Sequence, residues 1–211
     1  MIPGGLRCGT AACVRTRQTN LFYRKGTTMD PGLTFEDQRK QAEHFLAKLG
    51  IPVRDLDRPG LEEEIVRFLK KMQCLSLATV NPDGTPHQTL LDYVSDGLDI
   101  YIASAGGDKF INLEKSDRVS VSIGFTGGTV ESEYGLVVDG TARVYKAPHP
   151  KFISGMMKLK GFLEDWSASV QPLEDVLKKV VTARVIKITP DRLTYMNMPD
   201  GVAWVRWKRN P

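Results

Sequence analysis

Two segments near the N-terminus carry apolar residues every three to four positions, which is the spacing of amphipathic helices. The first runs from Thr34 to Leu49, with Thr34 as its N-cap and Gly50 as its stop signal. The second runs from about Pro59 to Met72, with acidic residues near its start and lysines near its end. The apolar stripe of the second helix is typical of core packing, so we do not interpret it as a cofactor-binding surface.

From Cys74 onward the pattern changes to short β-rich runs separated by turn residues. The turn signals at Asn81–Gly84 and Ser95–Gly97 leave short links, which predict that the first three strands are antiparallel neighbours. Gly140 predicts a bulge or bend inside the longest run, and Pro190–Asp191 predicts a turn between the last two. The predicted strands are Cys74–Val80, Pro86–Val94, Leu98–Ser104, Arg118–Phe125, Glu133–Tyr145, Val180–Ile188 and Arg192–Met196.

Six or seven antiparallel strands with few, short helices predict a mainly β fold, in which the sheet forms a small closed or partly closed barrel. A short helix is expected after Asp108, and the segment 146–179 is expected to be a helical insertion. Within that insertion, Pro148–Gly161 and Pro172–Lys179 are predicted helices, and Phe162–Val170 is predicted as a helical turn or lid. The predicted organisation is therefore an N-terminal extension (1–28), two helices (29–72) and a barrel domain (73–211).

The charge is unevenly distributed along the chain. The whole chain carries +4, and residues 1–28 carry five basic and no acidic residues, so residues 29–211 carry −1. The body therefore gives no electrostatic case for nucleic acid, and no apolar run is long enough to predict a membrane span. Three cysteines do not indicate a disulfide framework, which favours a cytoplasmic location. Residues 1–28 are interpreted as a disordered extension upstream of a true start at Met29, with a transit peptide as the alternative.

The best candidate for a binding site is the segment Ser104–Lys109, which reads SAGGDK. A strand end, two glycines, a lysine and a helix start can form a phosphate cradle, because backbone amides approach closely at glycine and the lysine adds a charge. The alternative is a turn with a solvated lysine. The sequence contains no phosphate-loop signature, dinucleotide fingerprint or zinc-ligand spacing.

The order of features from Leu77 to Ile123 resembles the FMN-binding split-barrel family related to pyridoxamine 5′-phosphate oxidase. Those features are a strand, an Asp-Gly turn, a Pro-His strand, a third strand, a lysine, and Asn-Leu before an Arg-Val strand. The resemblance covers residues 62–145 well and 180–207 loosely. It implies a split β-barrel with peripheral helices, and a homodimer that binds FMN in clefts between its two subunits.

The resemblance also implies which positions of this chain contact the flavin. Lys109 matches the family's phosphate-binding lysine, the second strand would lie along the flavin, and the end of the third strand would pass under the ring and the ribityl chain. Tyr134, and Trp207 from a partner subunit, could stack on or cover the flavin, or simply pack in the protein. The predicted cofactor-binding residues are His87, Gln88, Thr89, Leu90, Ile102, Ala103, Ser104, Lys109, Tyr134 and Trp207.

Two departures separate this chain from the oxidase itself. Gly107-Asp108-Lys109 stands where the family often has Ser-Arg-Lys, and Asp92 stands where the oxidase has a lysine. The residues that bind the oxidase's substrate phosphate have no clear match, so oxidation of pyridoxamine phosphate is not expected. The expected function is hydride transfer between a small-molecule donor and FMN. The alternatives are a non-enzymatic flavin-binding dimer, a reductase that uses the deazaflavin F420, and a barrel that has lost its site.

Overall fold

The computed structural model describes residues 32–126, 128–160 and 182–210. The two expected N-terminal helices are present, α1 at Phe35–Lys48 and α2 at Arg58–Lys71. Thr34 caps α1 in a reciprocal capping box with Asp37, and the Asp57 side chain caps α2 by accepting a hydrogen bond from the Gly60 amide. These caps satisfy amide groups that the helices leave unpaired, which explains where each helix begins.

In the described part of the chain the strands form one antiparallel sheet that curls into a half-barrel, as predicted. The sheet has eight strands, where six or seven were expected. The strand order is β2-β1-β5-β6-β7-β4-β3, and β8 pairs with β7. The predicted helix after Asp108 is α3, and a further helix, α4, follows β6. The elements after α2 are β1 Cys74–Val80, β2 Pro86–Asp92, β3 Val94–Asp96, β4 Asp99–Ser104, α3 Lys109–Lys115, β5 Arg118–Thr126, β6 Glu133–Tyr145, α4 Pro150–Lys158, β7 Arg184–Asn197 and β8 Val202–Lys208.

The long strands β6 and β7 form the centre of the sheet, and a bulge lies where they meet at Gly140, as predicted. A Cβ atom at Gly140 would lie 2.3 Å from the carbonyl oxygen of Thr189, so only glycine fits there. The predicted turn at Pro190–Asp191 is wrong, because β7 continues through both residues. The bulge places Pro190 opposite Gly140, and a bulge is one of the few places where a strand accepts proline.

The predicted second strand, Pro86–Val94, is broken at Tyr93 into β2 and β3. The Tyr93 amide donates to the Gln73 carbonyl, and its buried hydroxyl donates to the Leu69 carbonyl at 3.0 Å. As a result, β2 pairs with β1, and only β3 pairs with β4. The sequence predicts that the run Pro86–Val94 pairs with the run Leu98–Ser104. In the structure, that pairing is made only by the three residues of β3. The sheet therefore begins at β2 and ends at β3, and the barrel is split between them.

The core lies inside the curled sheet and under α2, which contributes Ile65, Phe68 and Leu69. The aromatic tail after Gly201 is a further strand, β8, whose Trp207 belongs to this core. Across the described ranges, no helix is both long enough and apolar enough to cross a bilayer. The predictions for residues 1–28, Phe162–Val170 and Pro172–Lys179 lie outside the described residues.

Candidate functional site

The segment that leaves β4 forms an exposed glycine loop above the end of the barrel. Ile102 is buried inside the barrel, Ala103 and Ser104 are half-buried, and residues 105–108 are exposed. Gly107 has φ +103°, a conformation that side-chain-bearing residues rarely adopt. The loop therefore presents its backbone at the surface at the point where the chain enters α3.

The amide groups of this loop are available to a ligand. Within the described part of the chain, the backbone amides from Gly106 to Lys109 donate no hydrogen bond to another residue. Consecutive free amides around a residue with positive φ form a concave group of donors that attracts anions. This arrangement fits the phosphate cradle that the sequence predicts.

Lys109 is held beneath the loop and is only 4% exposed. Its ammonium group donates to the Gly106 carbonyl, and a Cβ atom at Gly107 would lie 3.1 Å from Nζ. Glycine at 107 therefore leaves room for the lysine, which is not a solvated turn residue. Burial lowers the pKa of Lys109, while the neighbouring Asp108 carboxylate opposes this shift.

Asn112 connects α3 to the C-terminal end of strand β1. Its buried side-chain amide donates to Thr79 Oγ1 and to Asn81 Oδ1, each at 2.9 Å. Thr79 faces His87 across the β1–β2 pair, so the anchor brings His87 to the side of the barrel that carries the loop. Sequence reasoning noted Asn112 only as part of a family pattern. The signal that sequence reasoning missed is an amide side chain one turn after Lys109, in the predicted short helix.

Strand β2 carries the other predicted flavin contacts on two opposite faces. His87 and Thr89 are half-buried on one face, where His87 Nε2 and Thr89 Oγ1 lie 3.1 Å apart. Gln88 and Leu90 are exposed on the other face, and Leu90 is 75% exposed. Only the first pair is therefore on the same side of the sheet as Thr79 and the α3 anchor.

Tyr134 and Trp207 lie against α2. Tyr134 packs edge-on against Phe68, with ring centroids 6.2 Å apart. Trp207 is 5% exposed and its indole N–H donates to the Glu62 carboxylate. Within one chain both residues have packing roles, and their predicted flavin contacts stay predictions.

A cleft lies beside α3, where β6 ends and β7 begins. Its volume is about 480 Å³. Phe110, which is buried, has the Lys109 ammonium 5.0 Å and the Arg184 guanidinium 4.5 Å from its ring centroid. Sequence reasoning did not identify this cleft. It is lined by Phe110, Leu113, Glu114, Asp117, Ala142, Arg143, Val144, Tyr145, Lys146, His149 and Arg184.

The split half-barrel, with its glycine loop after β4, defines a class of small antiparallel barrel proteins. The family model for pyridoxamine 5′-phosphate oxidase matches residues 61–197, which is more than half of the chain. The chain belongs to the pyridoxamine 5′-phosphate oxidase family. A search of the curated proteins finds no match.

Solved structures agree on the fold. A protein related to general stress protein 26 from Clostridium acetobutylicum is 13% identical, with a TM-score of 0.53 over 74% of this chain and 98% of that one. A FAD-binding protein from Mesorhizobium loti is 20% identical, with a TM-score of 0.50 over 68% and 96%. A heme-binding protein from Mycobacterium smegmatis is 15% identical, with a TM-score of 0.53 over 72% and 60%. At these identities the likeness shows the fold alone.

Proposed function

We propose that this protein is a flavin-dependent oxidoreductase that binds FMN, with the FMN phosphate on the loop from Gly106 to Lys109. The carrying observation is that exposed, unpaired amides surround a positive-φ glycine directly above a buried lysine. A phosphate monoester carries about −1.5 to −2 charges near neutral pH, so it suits a group of donors with one ammonium beneath it. Membership of the family supports a flavin as the ligand.

The remaining predicted residues have separate roles in this proposal. Ala103 and Ser104 would lie beside the ribityl chain, while His87 would contact the phosphate or the ring. Asn112 holds α3, and therefore Lys109, in position through Thr79 and Asn81. Bound FMN would supply the redox chemistry as a hydride carrier, and the protein would orient the ring and exclude water.

The proposal includes a homodimer with the flavin at the subunit interface. Among the described residues, no strand pairs with the outer edge of β2, and an unprotected edge is normally covered in a stable protein. Leu90 on β2, Val80 on β1 and Val137 on β6 share one sheet face and are 75%, 49% and 38% exposed. A second copy that covers this face would bury these side chains and complete the surface beside β2.

FMN is preferred to F420 as the cofactor because the deazaflavin has a longer anionic tail that needs an extended basic groove. The body of the chain carries −1, and Asp108 adds a negative charge beside the loop. One compact phosphate site matches FMN better. Oxidation of pyridoxamine phosphate is not part of the proposal, since the residues for its phosphate have no match.

The first test is whether the purified full-length protein binds flavin. Bound FMN gives a yellow protein with absorbance near ~450 nm, and added FMN should bind with quenching of its fluorescence. Consumption of NADPH or NADH by the loaded protein would then distinguish an oxidoreductase from a non-enzymatic flavin binder. A colourless protein that does not take up added FMN would refute the proposal.

A further inference from the structure

The cleft beside α3 has the size and the walls of a small-molecule site. Its volume of about 480 Å³ lies within the range of known ligand pockets, roughly 300–1,000 Å³. Phe110 and Ala142 are buried and Arg184 is half-buried, so these three form its deep part. Lys146 and His149 are exposed and lie at its rim. The cleft therefore combines an apolar floor with a polar entrance.

Arg184 is the charged group best placed to recognise a ligand. The β4–β7 pairing sets it opposite Ser104, and its guanidinium lies 4.5 Å from the centroid of the Phe110 ring. It forms no ion pair with any acidic residue in the part of the chain that the structure describes. Its planar donors are therefore free to bind an oxyanion in a bidentate manner.

The other charges of the lining leave the cleft positive. Arg143 is paired with Asp117 at 3.3 Å, so these two charges largely cancel. The remaining charged groups are Arg184 and Lys146 against one carboxylate, Glu114, which is exposed. A ligand with one or two negative charges would balance this excess.

Aromatic rings lie both in the deep part of the cleft and at its rim. The rings of Tyr145 and His149 have centroids 5.1 Å apart, and Phe110 provides a third ring in the deep part. Flat faces of this kind favour a planar ring in the ligand, because stacked and edge-on aromatic contacts add to the gain from burial.

We propose that this cleft binds a small planar ring that carries one carboxylate or phosphate group, at a site separate from the glycine loop. Arg184 holds the oxyanion, Lys146 adds a second charge, and the ring lies against Phe110 and the Tyr145–His149 pair. The proposal does not require the protein to bind flavin. Lys109 and Arg184 contact the same Phe110 ring, so the experiment must separate the two cations.

The experiment is calorimetric titration of the full-length protein with AMP, adenosine and 4-hydroxybenzoate, without and with saturating FMN. AMP should bind about tenfold or more tightly than adenosine, and Arg184→Gln should weaken AMP by about 10- to 100-fold, as expected for a charge-assisted hydrogen bond. Comparison of AMP with 4-hydroxybenzoate shows whether the site prefers phosphate or carboxylate. Saturating FMN occupies the glycine loop, so the titration in its presence reports the cleft alone, and both probes should still bind.

Three further variants complete the design. Lys146→Gln, at the exposed rim, should weaken AMP by about two- to fivefold even if Arg184→Gln folds poorly. Lys208→Gln on β8 removes the same charge away from the cleft and should change nothing, and Lys109→Gln, measured at saturating FMN, should leave AMP binding intact. The inference is overturned if no probe binds below about 10 mM, or if AMP and adenosine bind equally. It is also overturned if the Arg184 and Lys146 variants bind normally, or if saturating FMN abolishes the binding of both probes.

Discussion

The two stretches predicted to hold the flavin, the glycine loop and strand β2, differ in how complete they are within one chain. The loop is supported from below, since Lys109 is 4% exposed and Asn112 anchors the following helix to β1. Strand β2 pairs on one edge only within the part of the chain that the structure describes, and its Leu90 is 75% exposed. One chain therefore builds the proposed phosphate end of the site fully, but only one wall along β2.

This difference separates what local sequence can build from what a second subunit must supply. A phosphate site needs a few amides and one cation, which a short loop with a buried lysine provides. A flavin ring needs an apolar wall on each of its two faces to exclude water. Within one chain, strand β2 can provide only one of these walls. In the proposed homodimer, the second subunit provides the missing wall. The glycine loop and strand β2 can be tested separately.

The largest effect, on dimer formation and FMN uptake, is expected from Leu90→Asp, which tests strand β2. A two-fold interface repeats the substitution, so two unpaired carboxylates would be buried in each dimer. We expect the dimer to dissociate, with subunit affinity reduced by about 100-fold or more, and FMN uptake to be lost with it. Sedimentation velocity and FMN titration measure the two effects.

Leu49→Asp is the matched control, because Leu49 ends α1 and is 50% exposed. It should leave both the dimer and FMN binding unchanged. A wild-type protein that is monomeric with FMN bound, or a Leu90→Asp variant that stays dimeric, would show that β2 is not at the interface.

The next largest effect, on FMN affinity, is expected at the glycine loop. Lys109→Ala removes the ammonium beneath the loop and should weaken FMN by about 10- to 100-fold, the range of one charge-assisted hydrogen bond. Riboflavin lacks the phosphate, so its affinity should change by less than about twofold. Fluorescence titration with both ligands gives the two values. The control is Lys115→Ala at the exposed end of α3, and equal losses for FMN and riboflavin would place the phosphate elsewhere.

A smaller effect is expected from Asn112→Leu, which removes the anchor of α3 and leaves the loop residues unchanged. The buried Thr79 and the half-buried Asn81 each lose a hydrogen-bond donor, so the free energy of unfolding should fall by about 1–3 kcal/mol. Urea unfolding measures this loss, and FMN affinity should fall a fewfold because Lys109 is held less firmly. Ile111→Ala, at a 52% exposed neighbour, is the control and should change neither quantity.

The fold was predictable where local signals agreed with the final pairing. The N-cap at Thr34, the apolar spacing from Pro59 to Met72 and the glycine at 140 each specified their element. The errors arose where long-range pairing overrode a local signal. Pro190 is typical of a turn, but the bulge opposite Gly140 lets β7 continue, and the pairing of Tyr93 with Gln73 breaks a run that alternation alone would continue.

The candidate site divides in the same way. Ser104–Lys109 was predictable, because glycines and a lysine between a strand and a helix are adjacent in sequence. The burial of Lys109 was not, since it depends on the Gly106 carbonyl and on the space that Gly107 leaves. Arg184 and the cleft were missed because Ser104 and Phe110 meet Arg184 only through the β4–β7 register. The second wall along β2 could not be derived from one chain.

The smallest expected effect is a pH dependence that distinguishes the buried lysine from an exposed one. Burial lowers the pKa of Lys109 below its ordinary value of 10.5. Between the lowered pKa of the folded protein and 10.5, the unfolded chain binds more protons than the folded chain. The free energy of unfolding of the FMN-free protein should therefore rise with pH in that window. FMN binding needs the charged ammonium, so FMN affinity should fall as the pH rises through the same window. Lys109→Arg keeps its charge there, so FMN affinity should stay flat once the riboflavin curve has corrected for ionisation of the ring. If stability and FMN affinity of the wild type changed in the same direction, Lys109 would not be the group that meets the phosphate.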